Sequence, residues 1–137
     1  MTLVPLERFG KDHWSTFAYL ETRVVDHRGV PDREHMRVDE SRHPFQRNRA
    51  CAAFPHAKYP TRLRGDETLP DHDDWDCLED LEAAGLLKDI GTGMNPVVAL
   101  TAEGRKVAAQ LRAHKASGGS FANFTGESDH ERPTAVV

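Results

Sequence analysis

Seven potential metal donors fall within 51 residues of this chain: His27, His35, His43, Cys51, His56, His72 and Cys77, interspersed with aspartates. Imidazole and thiolate are the preferred ligands of zinc, and three of them plus an open position would make a hydrolytic centre. The spacing argues against such a centre. Structural zinc sites place ligand pairs about two to five residues apart, and the chain contains no C-x-x-C or H-x-x-x-H. His27, His35 and His43 recur every eight residues, which keeps to no single helical face. These histidines are read as surface residues in loops. No metal ligand is assigned, and no cofactor is expected.

Other reactive groups are equally isolated. Asp71-His72-Asp73-Asp74 is similar to the His-Asp pair of metal-dependent phosphohydrolases, but it matches in one dipeptide only. Carboxylates at a helix start are more often caps that meet the positive end of the helix dipole. Ser15, beside His13 and Thr16, reads as helix surface. Cys51 lies in a basic loop, where a positive surrounding would lower a thiol pKa, but no orienting partner adjoins it. Cys77 lies beside an apolar stripe and reads as a small buried hydrophobe. The glycines of GTGMN fall between two strands and lack the Lys-Ser/Thr of a phosphate loop. No catalytic residue is assigned.

Charge is the stronger signal. Residues 1–65 carry 12 Lys/Arg against 8 Asp/Glu, whereas residues 66–137 carry 6 against 14. At the border, residues 41–65 hold six basic side chains and no acid, and residues 66–82 hold nine acids and no base. Arg42, Arg47, Arg49, Lys58, Arg62 and Arg64 alternate with Phe45, Phe54 and Tyr59. Arginine with aromatics suits phosphate contact and base stacking, and it equally suits protein–protein contact. The two blocks either pair within the fold or across a dimer, or they form separate faces for separate partners.

The elements that must position these groups follow from periodicity. Trp14, Phe17, Ala18, Val24 and Val25, with Leu20 at the edge, predict a helix over 12–27, capped by Asp12 and ended by Gly29. Pro31 opens a short helix over 31–38. Residues 39–73, with four prolines, form an irregular connector in which KYPTRL is extended. Trp75, Leu78, Leu81 and Ala84 predict a helix over 73–86. Strands over 87–90 and 97–100 flank the turn GTGMNP. Thr101 caps a last helix over 102–115. The polar stretch from Ser117, carrying Phe121 and Phe124, reads as a mobile tail, so the globular part is expected to span 1–116 and the tail 117–137.

LEDLEAAGLL, then a hairpin, then LTAEGRKVAAQL, resembles the recognition helix, wing and following helix of winged-helix regulators of the MarR and PadR type. The resemblance covers residues 74–114. It places Leu78, Leu81 and Leu86 in the core, Gly85 at the helix end and residues 91–96 at the wing tip. It implies a small α+β domain with DNA as ligand. The chain departs from that pattern in charge: Asp71 to Leu87 holds seven acids and no Lys or Arg, and carboxylates repel phosphates. HWSTFAYLETRVVDHRGVPD and LPDHDDWDCLEDLEAAGLL also resemble a group of short bacterial proteins found on mobile elements.

The expectation is a non-catalytic binding protein, an inhibitor or adaptor of a mobile element. It would dock a protein partner through Asp71, Asp73, Asp74 and Asp76 and through Arg42, Arg47, Arg49, Arg62 and Arg64. A helix with its apolar side inward and its acids facing solvent carries that expectation. The alternatives are a DNA-binding regulator reading nucleic acid through residues 42–64, and a metal-dependent hydrolase. No apolar run approaches the roughly 20 residues of a membrane span, so no membrane partner is expected. MTLVPLERFGKDH has no basic segment leading into an apolar one, so no secretory leader is expected. With two cysteines, the chain reads as cytoplasmic.

Overall fold

Helix α1 spans Lys11–Asp26 and supplies the centre of the core: Trp14, Phe17 and Leu20 repeat at three-residue steps and are fully buried. The computed structural model describes residues 3–32, 60–69, 72–91 and 97–125. Among these described residues the elements are three α-helices and two small antiparallel sheets, an α+β fold with a hairpin between the second and third of those helices. No described helix is long and apolar enough to cross a membrane.

The N-cap of α1 is Gly10, which offers no side chain. Asp12, expected as the cap, instead accepts a hydrogen bond from the Arg62 backbone N–H at 2.6 Å. It thereby ties α1 to strand β1 (Thr61–Arg62). Val24 is only partly buried and Val25 is 74% exposed, so the buried stripe is narrower at the helix end than periodicity suggests. Arg28 and Gly29 take left-handed φ of 58° and 84° and turn the chain out of the helix. Only glycine fits at 29: a Cβ there would lie 2.2 Å from the Val98 carbonyl oxygen. The close approach lets Val98 N–H donate to the Gly29 carbonyl at 2.8 Å.

Strand β1 pairs with β2 (Thr68–Leu69) through Thr61↔Leu69 and Arg62↔Thr68, across a turn at Arg64–Asp66 where Gly65 has φ 77°. The extended KYPTRL reading holds at Thr61–Arg62, while its partner strand was not foreseen. The predicted 31–38 helix from residue 33 onward and the connector through residue 59 lie outside the described residues.

Helix α2 spans Asp74–Ala83, close to its predicted range. It leads through Gly85 (φ 85°) into β3 (Leu87–Asp89), which pairs with β4 (Val98–Leu100) in the register Leu87↔Leu100 and Asp89↔Val98. Residues 92–96 of the predicted turn are outside the described residues. Helix α3 spans Ala102–Ala116, and the Thr101 hydroxyl accepts from Gly104 N–H at 2.9 Å, the predicted cap. Val107, Ala108 and Leu111 join the same core as Trp75, Leu78, Leu81, Leu86, Leu87 and Val98.

The stretch after α3 corrects the tail expectation. Residues 117–125 fold back over α1: Phe121–Asn123 form a 3-10 turn, and Phe124 is 8% exposed, edge-on to Trp14 at 4.9 Å. The His114 ring nitrogen Nε2 lies 2.8 Å from the Ser120 carbonyl and 2.7 Å from Asn123 Oδ1. A polar, glycine-bearing sequence hid this docking because two aromatics suffice to anchor nine residues. Residues 126–137 of the expected tail are outside the described residues.

Candidate functional site

Where α1, β1 and α2 meet, the core holds a polar cluster. His13, His72, Thr61, Cys77 and Asp80 are all buried. They arrive from α1, β1, and α2 with the residues just before it. His13 lies in the first turn of α1, on the same stripe as Phe17 and Leu20. Thr61 begins β1. His72 lies two residues before α2, and Cys77 and Asp80 follow one another by one turn along it.

Asp80 is the hub. Its Oδ2 lies 2.8 Å from His13 Nε2 and 2.7 Å from His72 Nε2, and its Oδ1 accepts from Val4 N–H at 3.0 Å. Burial alone would raise the Asp80 pKa. The bonds from His13, His72 and Val4 outweigh that and hold it at about 2, from an ordinary 3.8. Asp80 is therefore ionised, and each facing Nε2 carries a proton to donate. Burial also lowers the His13 pKa from 6.5, against the opposing pull of Asp80. A neutral His13 that donates through Nε2 keeps a bare lone pair on Nδ1, and that buried atom has no hydrogen-bond partner. The His13 ring also stacks on Phe9, with centroids 4.2 Å apart.

His72 is fixed on its other side. Thr61 Oγ1 lies 2.7 Å from His72 Nδ1 and 2.8 Å from the His72 carbonyl oxygen, and Cys77 Sγ is 4.0 Å from Nδ1. The potential ligating atoms of His13, His72 and Cys77 all lie within 4.8 Å of one another. The reading of His72 as a loop-surface residue is thus corrected: it is buried, as are His13 and Thr16, while Ser15 is half-buried. Cys77 is buried, as expected.

The acidic helix is corrected too. Asp73 and Asp76 form a capping box: Asp76 N–H donates to Asp73 Oδ1 at 3.2 Å, and Asp73 N–H donates to Asp76 Oδ2 at 3.0 Å. With exposures of 0% and 1%, these two carboxylates offer no surface to a partner. Backbone N–H groups at the helix start neutralise them, as the dipole favours. Asp74 is half-buried, and Glu82 is the exposed acid of α2, with its Oε2 accepting from Asp89 N–H at 3.4 Å. Arg62 and Arg64 are exposed; Arg62 lies 3.5 Å from Asp66, and Arg64 donates to the Glu7 carbonyl at 3.1 Å. Asp71, Arg42, Arg47 and Arg49 lie outside the described residues, as do His35, His43, Cys51 and His56.

One open recess adjoins α2. Leu3, Val4, Pro5, Leu6, Ala83 and Ala84 line a volume of about 260 Å³. Leu3 is 48% exposed beside it. Exposed Glu7 and Glu82 adjoin lining residues in sequence. No sequence signal pointed to this recess, because its two walls lie some 80 residues apart along the chain. Comparison with protein-family models, with curated proteins and with solved structures finds no match.

Proposed function

We propose that this chain is a non-catalytic binding module that docks a segment of a protein partner in the recess between its N-terminal strap and the end of α2. The observation that carries this reading is the enclosure of its reactive groups. A general base or nucleophile must come within hydrogen-bond reach of substrate, whereas His13, His72, Cys77 and Asp80 are all buried. The recess, in contrast, opens outward and is apolar. Its volume suits one inserted side chain, below the roughly 300–1,000 Å³ of small-molecule sites. Glu7 and Glu82 favour an apolar anchor flanked by Lys or Arg.

The acidic-helix reading therefore moves from Asp73 and Asp76 to Glu82. The order α2, β3, β4, α3 agrees with the winged-helix resemblance, but the outward strip of α2 carries Glu79 and Glu82, which disfavours entry into a DNA groove. An inhibitor or adaptor role on a mobile element is compatible with this docking mode.

The test is capture from a lysate of the encoding organism by tagged wild type, Ala83→Glu and Glu82→Lys. Support requires a protein retained by wild type in near-equal amount, lost with Ala83→Glu, and weakened by Glu82→Lys and by salt. A retained protein indifferent to both substitutions, or nucleic acid retained in its place, overturns the reading.

A further inference from the structure

We infer that His13, His72 and Cys77 hold a zinc ion in the core, with Asp80 as the carboxylate that orients both imidazoles. The inference is independent of the docking recess. Three observations converge on it.

The first is the donor set. Two imidazoles and one thiol bring their ligating atoms within 4.8 Å of one another in a buried place. Imidazole and thiolate together suit zinc, a borderline-soft ion. With Zn–S about 2.3 Å and Zn–N about 2.0 Å, tetrahedral ligands sit roughly 3.5 Å apart. Cys77 Sγ and His72 Nδ1 are 4.0 Å apart and no pair in the set exceeds 4.8 Å, so closure around an ion needs movements of about half an ångström to about 1.3 Å.

The second is orientation. A zinc-bound imidazole characteristically donates its other ring N–H to a carboxylate. Here His13 and His72 both direct Nε2 at Asp80 Oδ2, at 2.8 and 2.7 Å. That leaves Nδ1 on each ring as the nitrogen turned away from Asp80: on His13 it has no hydrogen-bond partner, and on His72 an ion would replace its 2.7 Å contact with Thr61 Oγ1.

The third is the orphaned atom. His13 Nδ1 is buried and without a hydrogen-bond partner in a residue with no solvent exposure. A buried lone pair without a donor costs free energy, and coordination satisfies it. His13 lies 59 residues before His72 and 64 before Cys77, so the site forms only as the chain folds. The ion then enters during folding rather than through the sealed core. A water or small anion would complete the fourth position, and because all three ligands are buried away from substrate the ion is structural rather than hydrolytic.

Untagged Cys51→Ala protein, in which Cys77 is the one remaining thiol, is unfolded in urea with chelator, freed of bound metal, and refolded at increasing Co²⁺, with and without Zn²⁺. The expected result is a thiolate-to-cobalt charge-transfer band saturating at about one equivalent, abolished by zinc. Zinc also raises Tm by about 5 °C or more at a hundredfold excess over Kd. Asp80→Asn weakens zinc affinity about 10- to 100-fold while keeping the band. A natively folded Cys51→Ala protein that gives no thiolate band overturns the inference. So does a zinc-induced Tm rise that survives Cys77→Ser. If Cys77→Ser does not fold, the cobalt titration of the Cys51→Ala protein decides alone.

Discussion

Asp80 receives three N–H donors in the core, so its acceptor oxygens matter more than its shape. Asp80→Asn is nearly isosteric but turns one acceptor into an NH₂ group facing other N–H donors. It is expected to cost the metal-free protein about 2–4 kcal/mol in urea denaturation. Thr61→Val removes the hydroxyl that meets His72 and should cost about 1–3 kcal/mol. The pH dependence has a definite sign in the metal-free protein. His13, whose folded pKa is lowered from 6.5, stays neutral while the unfolded chain protonates, so stability falls as pH drops below that value. Asp80, held at about 2 from 3.8, contributes stability that is full above pH 3.8 and is lost as pH falls through about 2. Urea midpoints at pH 7, 5 and 3.5 should decline in that order, and the first decline should vanish in His13→Gln. Part of this was legible: His13, Phe17 and Leu20 share one stripe, and Asp73, Asp76 and Asp80 recur at steps of three and four. A periodic acid is ordinarily a solvated face, though, and only tertiary structure reveals that the face is covered.

Among the elements, the third helix, the hairpin strands and the Thr101 cap were readable because each has a local cause: a stripe, a glycine-bearing turn, a hydroxyl before the helix. β1 and β2 were not, since two-residue strands are too short to show alternation. The packing of helix α3 on the exit of α2 depends on Gly104. A Cβ there would lie 1.9 Å from the Leu86 carbonyl oxygen, so Gly104→Ala must push the hairpin away from the helix. It should cost about 1–3 kcal/mol by thermal unfolding, although alanine favours helices elsewhere. Phe124→Ala removes the aromatic that seats the last described turn and should cost about 3 kcal/mol. A mobile tail would make that substitution silent.

Across the whole molecule, the opposite charge blocks meet partly in pairs. Arg8 bonds Glu67 at 2.7 Å and Arg62 approaches Asp66 at 3.5 Å, while Arg112 of the acidic half pairs with Glu21 of the basic half. These are largely exposed, and each should add less than about 1 kcal/mol. Raising sodium chloride toward 1 M should therefore shift the denaturation midpoint little, while weakening any partner held by Glu82. The densest acids are neutralised differently, by backbone amides and imidazoles inside the fold. A composition count could not separate these two fates, because it records charge but not enclosure. The indole of Trp14 takes Phe9 edge-on at 5.3 Å from one side of the chain and Phe124 at 4.9 Å from the other. Its emission is thus a native optical gauge of both docked ends: a protease that releases either one will change the fluorescence before the helices melt.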